Sequence, residues 1–185
     1  YMVDKTLSKV CEGKTPSEIL NISVADIACG SGIFLEEAFA YLQDYCVQWY
    51  ICNGQTDHLI ETGIDLYKLP LQEKKDILCS CIYGIDIDIH AVEVAKFSLL
   101  IKLIEDETAP SVSEVVPILP DLGDNIQFGN SLVSQTELNG ISGANHQMME
   151  IAPFDWSTIN NGCGFDVIIG NPPYVNTEGM HALLP

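Results

Sequence analysis

The stretch SVADIACGSG, residues 23–32, decides the architecture. Val24, Ala25 and Ile27 lie in an apolar, β-rich run that Gly30-Ser31-Gly32 breaks, after which IFLEEAFAYLQDYCVQWYICNG, 33–54, continues with helical periodicity. The order is strand, glycine turn, helix. Upstream, VDKTLSKVCEG at 3–13 puts Val3, Leu7 and Val10 on one helical face and stops at Gly13. Downstream, a helix is expected around His58 to Gly63, a turn at Leu69-Pro70, and a second helix starting in LQEKKDILCSC at 71–81. IYGIDID at 82–88 reads as a buried strand with acids at its C-terminal end. HAVEVAKFSLLIKLIEDE, 90–107, follows as a helix with one broad apolar stripe. Residues 106–124 read as loop, NIQFGNSLV at 125–133 as a third strand ending in a Gly-Asn turn, and 134–164 as a long polar connection. FDVIIG at 165–170 reads as a strand buried on both faces, with NPPY directly after it.

Strands alternating with helices imply an α/β fold: a parallel sheet with helices on both faces, binding ligands at the C-terminal ends of its strands. Asp26 to Gly32, Asp86 with Asp88, Gly129-Asn130-Ser131 and Asn171 to Tyr174 each follow directly from an apolar strand. Taken singly, such residues end strands because they suit turns. Four such segments in strand order converge on one rim and point to a site there.

The 185 residues set a prior of one domain, and 47% hydrophobic against 18% charged residues excludes a disordered chain. The net charge of −18 comes from 26 acids against eight bases, all of them lysine. Nucleic-acid affinity rests on Lys and Arg neutralising phosphates, so this chain alone is expected to hold DNA or RNA poorly. The last lysine is Lys102, and residues 103–185 carry acids only. The odd cysteine count, seven, with most of them in apolar runs, suits reduced thiols and a cytoplasmic location. Cys79-Ser80-Cys81 lacks metal-ligand spacing and a second ligand pair, so no metal is expected. Neither a membrane span nor a signal peptide is apparent.

Glycines at 30 and 32 let the chain turn sharply and let a ligand lie against bare backbone. A dinucleotide site would want a third glycine near Leu35, to close around a pyrophosphate. Its absence favours a nucleoside cofactor without one, such as S-adenosylmethionine. Asp86, ending the second strand, is placed to accept both ribose hydroxyls, whereas Asp88 suits an N-cap for the helix near His90. Asn130 is either an acceptor for the cofactor's adenine amino group or an ordinary αL turn residue.

Asn171-Pro172-Pro173-Tyr174 is the most informative stretch. The two prolines fix the loop, and Pro172 keeps a carbonyl without an amide hydrogen. Together with the Asn171 side-chain oxygen, that carbonyl can grip both N–H bonds of a planar amino group. The nitrogen lone pair is then drawn out of conjugation, toward a sulfonium methyl. Tyr174 offers a face on which a base can stack. Positioning and electrostatics suffice, without a strong general base.

The ordered set DIACGSGIFLEEAF, YGIDIDIHAVEVAKFSLLI, FGNSL and FDVIIGNPPYV resembles the S-adenosylmethionine-dependent N6-adenine DNA methyltransferases, closest to those of restriction-modification systems. The resemblance covers about 23–176 and implies a Rossmann-like methyltransferase fold. It implies that Asp26, Ala28, Cys29, Gly30 and Gly32 line the methionine part of the cofactor. Asp86 would hold the ribose, Ile87 and Asn130 the adenine ring, and Asn171, Pro172, Pro173 and Tyr174 the target adenine, flipped from the duplex. It also implies that residues 1–185 are a partial catalytic domain, incomplete on its C-terminal side. The Thr-Pro segment that precedes the opening helix in that family, the later strands and the target-recognition domain would all lie outside it. Such a fragment is expected to be inactive alone, to reach duplex DNA through the missing region, and to leave FDVII on an open sheet edge. A protein-glutamine methyltransferase, an RNA or N4-cytosine methyltransferase, and a non-catalytic Rossmann-like scaffold are the alternatives.

Overall fold

The structure, a computed structural model, describes residues 2–108, 112, 115–134 and 152–172. In chain order its elements are α1 (Met2–Cys11), α2 (Pro16–Ile19), β1 (Val24–Asp26), α3 (Ile33–Cys52), β2 (Ile60–Gly63), β3 (Leu66–Lys68) and α4 (Leu71–Cys81). Then follow β4 (Ile82–Asp86), α5 (Ile89–Ile104), β5 (Ile126–Phe128), β6 (Asn130–Ser134), β7 (Pro153–Phe154) and β8 (Val167–Ile168). The main sheet has the order β5-β4-β1-β8, and every pairing in it is parallel.

Right-handed crossovers that step in one direction, from β1 to β4 to β5, carry their helices to the same face. There Leu35, Phe39 and Leu42 of α3 and Val92, Ala95 and Leu99 of α5 share one core with Val24, Ile82, Ile126 and Val167. Side chains alternate along a strand, so Ala25, Tyr83 and Ile85 point the other way, onto Phe154, Ile159 and Phe165. The parallel α/β order expected from the sequence is observed. The five α-helices among the described residues lie with the first core, and the segment around Phe154 and Ile159 covers the second face. β8 joins β1 on the side away from β4, so the winding reverses at β1, and this is where such sheets open a crevice at their carboxyl ends.

The close approach of helix and strand that a third glycine near Leu35 would permit comes instead from the strand. A Cβ at Gly84 of β4 would lie 2.8 Å from Leu35 Cδ1 and 3.2 Å from both Cys29 Sγ and Ile126 Cδ1. Gly84→Ala is expected to cost about 1–3 kcal/mol through overpacking, read as a lowered denaturant midpoint at unchanged slope.

Four sequence expectations are corrected. Residues 60–68 are a β-hairpin, not a helix: β2 pairs antiparallel with β3 around the two-residue turn Ile64-Asp65. Asp65 takes φ +56°, a value that aspartate tolerates, and β-branched Ile60 and Thr62 favour the extended backbone. The hairpin is anchored by Lys68 and Lys74, which both pair with the buried carboxylate of Glu107, at 3.0 and 2.5 Å. Residues 125–133 do not form one strand. The backbone divides at Gly129, where a Cβ would meet Phe154 Cδ2 at 2.7 Å, and β6 leaves the main sheet to pair with β7. The connection after it is therefore not simply polar loop: it supplies β7 and the buried Phe154 and Ile159. Finally, β8 is not buried on both faces. Val167 and Ile169 are inside, but Ile168 is 60% exposed, because among the described residues β8 is the edge of the sheet and the covering segment sits over β1 and β4.

Candidate cofactor and reaction site

The C-terminal ends of the strands meet as the alternation predicts. After β1 the chain turns through Gly30 (φ +53°) and Gly32 (φ +88°) into α3. A side chain at Gly32 would also press on Ala95 of α5, 3.1 Å from its Cβ. The turn is tied to β4 twice: Cys29 N donates to Ile85 O at 3.0 Å, and Gly30 N to Asp86 Oδ2 at 2.7 Å. Asp86 Oδ1 accepts from Asp88 N at 2.9 Å, and Asp88 in turn caps α5 by accepting from His90 N, the role expected of it. Each oxygen of the Asp86 carboxylate thus takes one backbone N–H, which leaves about two of its four lone-pair positions for a ligand.

A cavity of about 300 Å³ opens at this rim. It brings together Ala28, Asp86, Ile87, Asn130 and Pro172, five of the residues singled out in the sequence, from the ends of all four parallel strands. Its lining is mainly apolar, with Ile27 and the 81%-exposed Leu132 beside Ile87. Ser131, which the sequence places on this rim without a role, also lines the cavity. Its hydroxyl donates to Ile27 O at 2.7 Å and locks β6 onto the turn. Asn130 is the first residue of β6 and its φ is not positive, so it is not an αL turn residue. Its Oδ1 accepts from Leu132 N at 3.1 Å, and its amide nitrogen is the donor it can offer a ligand.

The remaining residues of the glycine turn stand behind the cavity. Asp26, the last residue of β1, is 1% exposed, and its Oδ1 accepts from Ala28 N at 3.0 Å. Burial raises its carboxyl above the ordinary aspartate range. The Ala28 bond opposes this, and the neighbouring Asp86 charge adds to it. Cys29 faces the core near Gly84, where burial, then Asp86 and Asp26, push its thiol up to about 12. Cys52 and Cys163 are exposed. At pH 8 an alkylating reagent should modify Cys52 and Cys163 within minutes and leave Cys29, with roughly one thiol in 10⁴ ionised, intact until the protein unfolds, as followed by peptide mass spectrometry. Asn171 and Pro172 are exposed at the rim, while Pro173 and Tyr174 lie outside the described residues. Among the described residues there is no group of three His, Cys, Asp or Glu side chains that could hold a metal, and no helix long and apolar enough to cross a membrane.

The profile of the Eco57I restriction-modification methylases matches residues 80–183, from just before β4 through the Asn-Pro-Pro-Tyr stretch. The chain belongs to this family. A type II restriction enzyme and methyltransferase of Escherichia coli, RM.Eco57I, is 44% identical over 184 residues, 100% of this chain and 18% of the relative. RM.MjaORFECS2P of Methanocaldococcus jannaschii, named for the same two activities, is 34% identical over 137 residues, 71% of this chain and 11% of that relative. The chain therefore spans less than a fifth of the length of either relative. Where the family profile begins, at Ser80, it takes in Asp86, Asn130 and Asn171, and the E. coli relative extends the likeness back over the glycine turn.

Proposed function

We propose that this Eco57I-type chain transfers a methyl group from S-adenosylmethionine to the N6 amino group of adenine in duplex DNA, within a restriction-modification system. The observation that carries the reading is the shared cavity, in which the acid ending β4 and the loop after β8 open onto one space. The lining suits the donor. Asp86 keeps acceptor positions for the two ribose hydroxyls, Ile87 and Leu132 offer apolar surface for a flat ring, and the Asn130 amide can donate to a ring nitrogen. The paired carboxylates Asp26 and Asp86 give the rim a negative field that favours a cationic ligand. When bound, S-adenosylmethionine supplies an electrophilic methyl group on a positively charged sulfur.

The chain's own part is positioning. Asn171 Oδ1 and the Pro172 carbonyl accept the two N–H bonds of the target amine, Pro173 stiffens the loop, and Tyr174 stacks on the base. Rigid acceptors aimed at the place where charge develops are the stronger form of such catalysis. With 26 acids against eight lysines, contact with the DNA phosphates falls to other parts of the protein, and residues 1–185 belong to a single catalytic domain.

The test is the full-length gene product with labelled S-adenosylmethionine and, in separate reactions, duplex DNA, RNA and a glutamine-containing peptide, followed by nucleoside analysis. N6-methyladenine in DNA is the expected product. N4-methylcytosine, or methylation of the RNA or peptide with none on DNA, overturns the reading. Absence of donor binding would favour the scaffold alternative.

A further inference from the structure

Asp26 is the most buried acid at the rim, 1% exposed, and it does not line the cavity. Burying a carboxyl beside a second carboxylate is costly, and a residue needed only as filler would be apolar. Its surroundings show what the oxygen atoms do. On one side Oδ1 accepts from Ala28 N at 3.0 Å, inside the glycine turn. On the other, the carboxyl abuts Gly170: a Cβ there would lie 2.6 Å from Oδ1 and 3.3 Å from Cγ, closer than any side-chain carbon packs. Gly170 is the residue just before Asn171-Pro172, and Pro172 shares the cavity with Ala28. One residue earlier, Ile169 N donates to Ala25 O at 2.8 Å, so the chain is already locked to β1 where it passes the carboxyl.

We propose that Asp26 and Gly170 are a positioning pair for methyl transfer: the Asp26 carboxyl, held by Ala28, fixes how closely the Asn171-Pro172 loop approaches the glycine turn, and Gly170 is glycine because that carboxyl fills the space of its side chain. Asp26 acts as a gauge between the donor side of the cavity and the acceptor loop, and neither member need touch a ligand. The pair rests on the methyltransferase reading given above. A methyl group at position 170 must push the loop outward or dislodge the carboxyl from Ala28, and a misplacement of about 1 Å is enough to cost roughly 100-fold in rate.

In the full-length protein, Gly170→Ala is expected to lower kcat for methyl transfer about 100-fold, with KM for S-adenosylmethionine changed less than about threefold. Asp26→Asn preserves shape and the accepting oxygen, so the Gly170→Ala penalty, taken relative to the Asp26→Asn protein, should stay in place. Asp26→Ala removes the obstruction, and in that background Gly170→Ala should cost less than about threefold. An equal penalty in the wild-type and Asp26→Ala backgrounds overturns the pair, as does a Gly170→Ala protein with unchanged kcat. Should Gly170→Ala fail to fold, the double variant must fold, and its failure overturns the pair too. Wild-type protein that methylates nothing overturns the methyltransferase reading instead. The pair is then decided by thermal unfolding, where Gly170→Ala must lower Tm more in wild type than beside Asp26→Ala.

Discussion

Asn171→Ala should slow methyl transfer by about 10²–10³-fold, the loss seen when one preorganised charge-stabilising group is removed from an active site. The exocyclic amine of adenine is a poor nucleophile while its lone pair is delocalised into the ring. Two acceptors held on a rigid loop favour the pyramidal nitrogen that forms as the methyl arrives, and they do so more strongly in the transition state than in the ground state. An interaction of that kind appears in kcat, not in ground-state binding. Asn171 is exposed at the rim, and the alanine leaves no hole in the core. Folding and donor affinity should therefore stay within about twofold of wild type, since surface changes of this kind are usually small. Single-turnover methylation with saturating DNA, alongside calorimetry with S-adenosylhomocysteine, separates the two effects. Asn171→Asp, which keeps an acceptor at the same reach, should stay closer to wild type than the alanine variant. A fully active Asn171→Ala protein would remove the amine grip from the mechanism.

Local chemistry made much of this site legible before any coordinates. The glycine turn, Asp86, the Asp88 cap and the Pro172 loop each follow a strand whose apolar run is unmistakable, and a parallel sheet brings such ends together whatever its flanking segments do. What stayed hidden depends on which surface a residue meets. Between His58 and Gly63 only the β-branched Ile60 and Thr62 favour a hairpin over a short helix, and the choice is fixed further on, where Asp65 adopts positive φ and Lys68 meets the buried Glu107. The break in 125–133 is set by Phe154, 25 residues further on, which occupies the space above Gly129. The apolar run of FDVIIG suggests burial on both faces, whereas the edge position that the family resemblance implies for it leaves Ile168 on the uncovered side. The tasks of Asp26 and Gly170 were likewise invisible, since the contact between them joins residues 144 positions apart.

The second large effect is expected at Asp86, where Asp86→Ala should weaken S-adenosylmethionine binding roughly 100-fold or more. Two hydrogen bonds to a charged group, at about 1.5–3 kcal/mol each, account for that loss at 1.4 kcal/mol per tenfold. The side chain has an internal task as well, because its two oxygens hold Gly30 N at 2.7 Å and Asp88 N at 2.9 Å. Alanine would therefore loosen both the glycine turn and the start of α5, and some loss of Tm should accompany the loss of affinity. Asp86→Asn separates these contributions only in part, since its NH₂ group would have to face one of the two N–H donors. The ligand can be altered instead. An S-adenosylhomocysteine analogue lacking both ribose hydroxyls should bind wild type about as weakly as the intact compound binds Asp86→Ala, and should lose little further on the variant, because the cycle isolates the contact between carboxylate and hydroxyls. If removing the hydroxyls costs the same in both proteins, Asp86 serves only to brace the turn, and the ribose must be held by another group on the rim.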